Sequence, residues 1–478
     1  MIDSLTKKKL LIQGQWVETQ EYKSLISPYS GEIIGEIPVA SHEDLELAIQ
    51  SAYKAKNIMA KMPAHQRAMI LENLVTLLTE RAEEASEIIA VEAAKPIGAA
   101  RIEVTRTIQT YKFAAEEAKR INGETISLDA APGGEGRLAY TIHEPIGVVG
   151  AITPFNFPMN LVAHKLGPAI ASGNTIVLKP ASQTPLSAFF IGELLQKAGL
   201  PDGALNIITG SGSVIGDKIV TDKRINMITF TGSPTVGINI RNKAGLKRVT
   251  LELGSNSAAI IDKGVDINKI IQRCVSGAFS FQGQVCISLQ RIYVHEDEYE
   301  AFLSKFVTET KKLKLGDPRD SSTDVSALIH PSETERVIGW IQEAKSLGAK
   351  VVTGGLVEGG VLQPTVLVEV NPELKVSCQE VFGPVVIIDK FSSIDQAIDK
   401  VNDSRFGLQA GVYTGNIHTA LDAVDKLHVG GVMINDIPTF RVDQMPYGGV
   451  KESGMGREGI KYAIEEMTEL KLVVLNRN

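Results

Sequence analysis

The chain has 478 residues, of which 44% are hydrophobic and 22% charged, enough to bury a large core over more than one domain and unlike a disordered chain. Its formal net charge of −7 at pH 7 argues against a general affinity for nucleic acid, which needs a basic surface. Three cysteines, Cys274, Cys286 and Cys378, are too few and too irregularly spaced for a disulfide framework or a zinc site, and the eight histidines include no i, i+4 pair, so no metal centre is expected.

After the lysines at positions 7–9 only Leu10, Leu11 and Ile12 follow before Gln13, too short an apolar run for a signal peptide. No later run approaches a membrane span, and the protein is expected to be cytoplasmic, with no membrane partner. The N-terminal third reads as mostly helical. Ile70, Leu74, Leu77 and Leu78 share one helix face, and a second helical run is predicted over residues 82–120. The rhythm changes at "GRLAYTIHEPIGVVGAIT". Short apolar β-rich runs begin there and continue as "NTIVLK", "ALNIIT", "NMITF" and "RVTLEL", separated by helical or turn-rich segments, which predicts βα units and a parallel sheet. Beyond Gly254 a helix is predicted over "DINKIIQRCVSGAF". The later strands "AKVVTG", "QPTVLVEV", "PVVIIDKF" and "GVMIN" imply a second α/β unit. "GRLAYTIHE" and the C-terminal "ELKLVVLN" alternate apolar residues and would leave exposed edges for a partner subunit to cover.

Parallel sheets carry their ligand sites in the loops after the strands. Gly210, Gly212 and Gly216 in "TGSGSVIGDKI", and the "FTGSPTVG" turn, each follow a strand and open a helix whose first N–H groups suit phosphate. Neither is a G-x-G-x-x-G fingerprint, and the chain has no Walker A loop and no HExxH pair.

Seven segments, "ITPFNFP", "LKPASQTPLSA", "FTGSPTVG", "LELGSNSA", "GQVCIS", "EVFGPV" and "MPYGGVKESGMGREG", resemble in order and separation those of the NAD(P)-dependent aldehyde dehydrogenase superfamily. The resemblance implies an α/β fold with two parallel-sheet, Rossmann-like domains and a small β oligomerisation element. Residues 1–122 and 145–253 would bind the cofactor, 254–440 would form the catalytic domain, and 123–144 with 460–478 would assemble a homodimer or homotetramer. It further implies that Cys286 is the nucleophile, adding to the aldehyde so that a thiohemiacetal can lose hydride and leave a thioester. The thiolate then requires a lowered pKa. Cys274 and Cys378 carry no motif and read as structural. Glu252 takes the place of the general base, and Asn156 that of the oxyanion donor, with the Cys286 backbone N–H.

For the cofactor, the resemblance points to Thr153, Pro154, Lys179, Ser182, Gly210, Gly216, Phe230, Gly232, Ser233, Val236, Leu253, Glu380 and Phe382. Alone, Lys179 and Glu380 would read as surface charges. Ser182 stands where many NAD-preferring members carry Glu, so the expectation leans to NADP with NAD left open. The segments look most like the branch of lactaldehyde and non-phosphorylating glyceraldehyde-3-phosphate dehydrogenases, which implies a small hydroxylated or anionic aldehyde. Phe157 is placed at the substrate. Arg106 and Arg441 stand where anion-binding arginines occur in some members, although each reads equally as a structural ion-pair residue. Succinate semialdehyde is the rival substrate, against which His164 replaces an Arg found in some of that group. A cofactor-independent thioesterase or esterase is the alternative of another class, and a catalytically silent protein is disfavoured by the presence of Cys286, Glu252 and Asn156 together.

Overall fold

A computed structural model describes residues 7–477; residues 1–6 and 478, the outermost parts of the predicted terminal segments, lie outside the described residues. The five βα strands expected from the apolar runs are all present: Val148–Ile152, Thr175–Lys179, Leu205–Ile207, Met227–Thr231 and Arg248–Glu252. They pair in parallel and are buried on both faces, which is why their sequences are nearly continuous apolar runs. Across the sheet they lie in the order 3-2-1-4-5 of their succession in the chain. The strand order therefore reverses at Val148–Ile152, and such a switch point opens a crevice beyond the strand ends. Gly454–Met455 closes one edge antiparallel to Arg248–Glu252, so the chain returns to this sheet after completing the second.

The second sheet has seven strands and is parallel except for Lys350–Thr353 at one edge. Three of its central strands, Ala258–Ile261, Arg291–His295 and Gln409–Tyr413, escape the sequence reading. Ala258, Ala259, Ala410 and Gly411 carry little β signal, and a strand buried on both faces shows no alternation. The short N-terminal strands Leu10–Ile12, Gln15–Val17, Glu21–Ile26 and Ile33–Val39 were also hidden behind the expectation of a helical N-terminal third.

The single helix expected over residues 82–120 is two, Ala82–Ala93 and Ile97–Glu117. Ala94 turns left-handed at φ 49°, and Pro96 disfavours a helical Lys95 before it. The two segments expected as exposed edges pair with each other in a nine-residue antiparallel register, from Thr468 opposite Pro145 to Asn476 opposite Arg137. Thr468–Asn476 still forms the outer edge of that sheet, with Leu470, Leu472, Val474 and Leu475 exposed. No helix among the described residues is long and apolar enough to cross a membrane.

Candidate active site

Cys286 is positioned by an unusual turn. The helix Ile267–Phe279, which carries buried Cys274, ends at Ser280, and Phe281, Gln282 and Gly283 then adopt left-handed φ values of 49°, 55° and 71°. A non-glycine residue in this region costs on the order of 1–3 kcal/mol, so the surroundings must impose the conformation. They do so through Gln282, whose buried amide donates to the carbonyls of Ala94 and Ala327 at 2.9 Å each. Gly283 packs so close to the Gly383 carbonyl that a Cβ would stand 2.2 Å from its oxygen. Gln284 accepts from the Ile329 N–H at 3.0 Å. Both glutamines around the cysteine thus build the loop.

The loop places Cys286 on the wall of a cavity of about 360 Å3, together with Arg106, Phe157, Phe281, Arg441 and Tyr447. Asn156 lies buried alongside, where its Nδ2 donates to the Gln284 carbonyl at 3.0 Å and its Oδ1 has no partner. That contact uses one of the two amide N–H bonds and leaves the other. The Asn156 carbonyl accepts from Lys95 Nζ at 2.6 Å. Lys95 is paired with Glu103, and the other oxygen of Glu103 accepts from the Met159 and Asn160 N–H groups at 3.0 and 3.1 Å. A fully buried ion pair therefore ties the Asn156 loop to the helix that follows it.

Glu252 ends its strand with both carboxylate oxygens buried and without a hydrogen-bond partner among the described residues. Burial, and then the nearby Glu458 carboxylate, raise its carboxyl well above the usual range. For Cys286 the structure corrects the expectation of a lowered value. Burial pushes the thiol up to about 11, against the opposing pull of a hydrogen bond from Tyr447 and the charge of Arg441. At neutral pH the resting sulfur is a thiol and needs a base.

The two arginines reach the same cavity but not as free cations. Arg106 Nη2 meets Asp443 at 2.7 Å, and Arg441 Nη2 meets Glu458 at 2.9 Å. Asp443 also bonds His164 Nε2 at 2.9 Å and accepts from Asn160 at 3.0 Å, while Glu458 meets Lys165 at 3.3 Å. Although burial opposes it, contacts with His164 and Arg106 hold Asp443 far below the usual carboxylate range. Asp443, Glu458, Lys165 and Tyr447 were not singled out from the sequence. Arg441 Nε is buried and has no hydrogen-bond partner among the described residues.

The residues expected at a cofactor gather beyond the carboxyl ends of the parallel strands. Thr153 and Pro154 follow the first strand; Lys179 ends the second, with Ser182 exposed just beyond; Gly210 and Gly216 follow the third. Gly216 closes a single π-helical turn before a helix of only five residues. Phe230 packs beneath Gly232, Leu253 beneath Gly237, and Ser233 caps the helix Pro234–Lys243 by accepting from the Val236 N–H at 3.5 Å. Glu380 and Phe382 come from the second unit. Glu380 accepts from the Ser255 N–H at 3.0 Å and fills the place of a side chain at Gly254, where a Cβ would stand 2.3 Å from its carboxylate. Burial pushes its carboxyl up to about 7. Phe382 meets Phe155 edge to face at 5.7 Å.

Lys179 is no surface charge: it is 6% exposed, the only hydrogen-bond partner of its ammonium among the described residues is the Pro180 carbonyl at 3.5 Å, and burial lowers its pKa. An under-partnered buried ammonium, the unpartnered hydroxyl of Thr153 and the capped N-terminus of an exposed helix form a row of donors at the switch point. That set fits a dinucleotide, whose hydroxyls and phosphates require donors of these kinds.

A model of the aldehyde dehydrogenase family matches residues 16–473. The chain is 48% identical over 477 residues to the 3-sulfolactaldehyde dehydrogenase of Priestia megaterium, an alignment covering 99% of each. Among solved structures, aldehyde dehydrogenase 21 from Physcomitrella patens in complex with the reaction product succinate superposes with a TM-score of 0.97 at 40% identity, over 99% of this chain and 98% of that one. The glyceraldehyde-3-phosphate dehydrogenase GapN from Methanocaldococcus jannaschii, complexed with NADP, gives 0.92 at 41% identity over 96% and 100%. The switch-point crevice, the buried carboxyl of Glu252 and the loop-held thiol thus stand in a chain matched almost from end to end, and the protein belongs to the aldehyde dehydrogenase family.

Proposed function

We propose that the protein oxidises a short aldehyde bearing a terminal anion, with 3-sulfolactaldehyde as the first candidate, to its carboxylate, with Cys286 as nucleophile and NADP as the preferred cofactor. The observation that carries this reading is the convergence of Arg106 and Arg441 on the cavity that holds Cys286, with the buried Nε of Arg441 lacking a partner. An arriving sulfonate, phosphate or carboxylate would satisfy that donor and share Arg106 with Asp443. The 48% identical relative named for a sulfonated aldehyde supports the choice, and the succinate-bound neighbour keeps succinate semialdehyde as the rival.

In this reading Glu252 accepts the thiol proton as the sulfur adds to the carbonyl carbon. The free N–H of Asn156 and the backbone N–H of Cys286, which has no partner among the described residues, then hold the developing oxyanion. Lys179, Ser233 and Glu380 would hold the cofactor, which when bound supplies the acceptor for the departing hydride. Glu252 then releases the thiol proton to solvent and, ionised again, deprotonates the water that hydrolyses the thioester. Exposed Ser182 places no carboxylate against a 2′-phosphate, which supports NADP, as does the NADP complex of the 41% identical neighbour. The exposed apolar edge Thr468–Asn476 supports assembly into a homodimer or homotetramer, which sedimentation would test.

The deciding experiment is a panel of short aldehydes with sulfonate, phosphate, carboxylate or neutral ends, run with NADP and NAD on the wild type and on Cys286→Ala. The anionic members should lead in kcat/KM, and Cys286→Ala should be inactive on all. A neutral aldehyde matching the best anion refutes the substrate reading. Hydrolysis of an ester or thioester by the wild type without either cofactor, with no aldehyde oxidised in the presence of NADP or NAD, favours the esterase alternative.

A further inference from the structure

Beside the candidate nucleophile stands a tyrosine hydroxyl to which the proposed reaction has so far given no role. Tyr447 Oη lies 2.8 Å from Cys286 Sγ and has no other hydrogen-bond partner among the described residues. The tyrosine is 2% exposed, and the guanidinium carbon of Arg441 lies 3.7 Å from its ring centroid. We infer that Tyr447 is a further catalytic residue of the reaction proposed above, its hydroxyl donating a hydrogen bond that stabilises the Cys286 thiolate over the thiol. The inference rests on the reading of Cys286 as nucleophile.

In the resting pair either atom can donate, and because a thiol is both a weak donor and a weak acceptor the contact is worth little. Once the proton has passed from sulfur to Glu252, the sulfur can only accept and the phenol must donate. A hydrogen bond to an ionised acceptor is roughly twice as strong as its neutral counterpart, so the contact favours the reactive form. The surroundings otherwise oppose ionisation: burial and the Glu380 carboxylate both disfavour a negative sulfur, leaving Arg441 as the favourable cation. Tyr447 is not itself the base. Burial, and then the neighbouring thiol, raise its phenol well above the ordinary range, so its proton stays available for donation.

The donor is also fixed in place. Tyr447 and Glu458 exchange backbone hydrogen bonds of 3.0 and 2.7 Å, and the Glu458 carboxylate grips Arg441, whose guanidinium covers the tyrosine ring. One short bridge therefore carries both the ring and the cation that packs on it. Such support is what keeps a reacting group within hydrogen-bond reach.

Tyr447→Phe removes a single oxygen and keeps the ring under Arg441. The reactivity of Cys286 towards iodoacetamide, mapped by peptide mass spectrometry across a pH series in cofactor-free protein, reports thiolate formation without turnover. In Tyr447→Phe the midpoint should move up by about one pH unit and the rate below it should fall about tenfold. Alkylation of Cys378 should be unchanged. Replacing Tyr447 by 3-fluorotyrosine, a stronger donor, should move the midpoint down. An unshifted midpoint in both variants overturns the inference. Retained aldehyde turnover in Cys286→Ala would instead remove the nucleophile reading beneath it, and the two failures are read in separate experiments.

Discussion

Asn156 offers the sharpest test of how the site handles charge. Its Nδ2 carries two N–H bonds, and the 3.0 Å contact with the Gln284 carbonyl uses one and fixes the plane of the amide. The second N–H and the Cys286 backbone N–H are the two donors left for the oxyanion. Removing one such donor costs about 2.7–4 kcal/mol of transition-state stabilisation, or about 10²–10³-fold in rate. Asn156→Ala should therefore slow the single-turnover appearance of reduced cofactor by that factor, while the lost Gln284 contact lowers stability by only about 1 kcal/mol. Asn156→Asp preserves the shape but turns a carboxylate towards both the Gln284 carbonyl and the developing oxyanion, and should be slower still. Stopped-flow absorbance at saturating aldehyde separates this step from thioester hydrolysis. If Asn156→Asp matches or outpaces Asn156→Ala, or if Asn156→Ala stays within a factor of about 3 of the wild type, the oxyanion argument fails.

Glu252→Gln should slow the first-turnover appearance of reduced cofactor, because Gln cannot take the Cys286 proton, and should accumulate whatever thioester forms, as stopped-flow absorbance and rapid-quench mass measurement of the acylated protein would show. The raised carboxyl of Glu252 accepts a proton only when ionised, so wild-type steady-state turnover should rise with pH through that raised value and the Gln variant should lose this limb. The stability contribution runs the other way: the protonated group favours the fold at low pH, and the gain fades as pH rises through the folded value, a fading absent from the variant. Ser182→Glu should shift the NADP/NAD ratio of kcat/KM towards NAD, because a carboxylate can bond two ribose hydroxyls but repels a 2′-phosphate; an unchanged ratio removes Ser182 as its determinant. Lys95→Met should lower the unfolding free energy by about 3–5 kcal/mol, because it strands the buried Glu103 carboxylate, and adding Glu103→Gln should recover part of the loss in urea titrations.

How far this was legible in the sequence depends on what each residue contributes. Continuous apolar strands such as "VVGAI" and "TIVLK" announce themselves, and the helix-opening turn at Ser233 follows from the residues that cap helices. Cys286, Glu252 and Asn156 are candidates from the sequence because each lies in a motif. What escaped was the product of long-range packing. Ala258–Ile261 and Gln409–Tyr413 owe their strand form to neighbours on both sides. The upward shift of the Cys286 thiol follows from burial that spacing does not encode. Asp443 and Glu458, which neutralise the two arginines, lie 337 residues from Arg106 and 17 from Arg441, and neither separation suggests a pair. Tyr447 sat inside "MPYGG", visible as a letter, but its contact with sulfur 161 residues away belongs to the fold.

The left-handed turn at Phe281–Gly283 makes the thiol a late product of folding. The side-chain nitrogen of Gln282 finds its two acceptors only when Ala94, at the break between the helices Ala82–Ala93 and Ile97–Glu117, and Ala327, in a loop beyond the strand Arg291–His295, have both arrived. Until then two non-glycine residues have no reason to remain left-handed, and the cysteine rides on an unshaped connection after its helix. A chain that has built either sheet alone holds no formed nucleophile loop, so the emergence of a site-specific, pH-dependent reactivity at Cys286 during refolding would time the docking of the two halves.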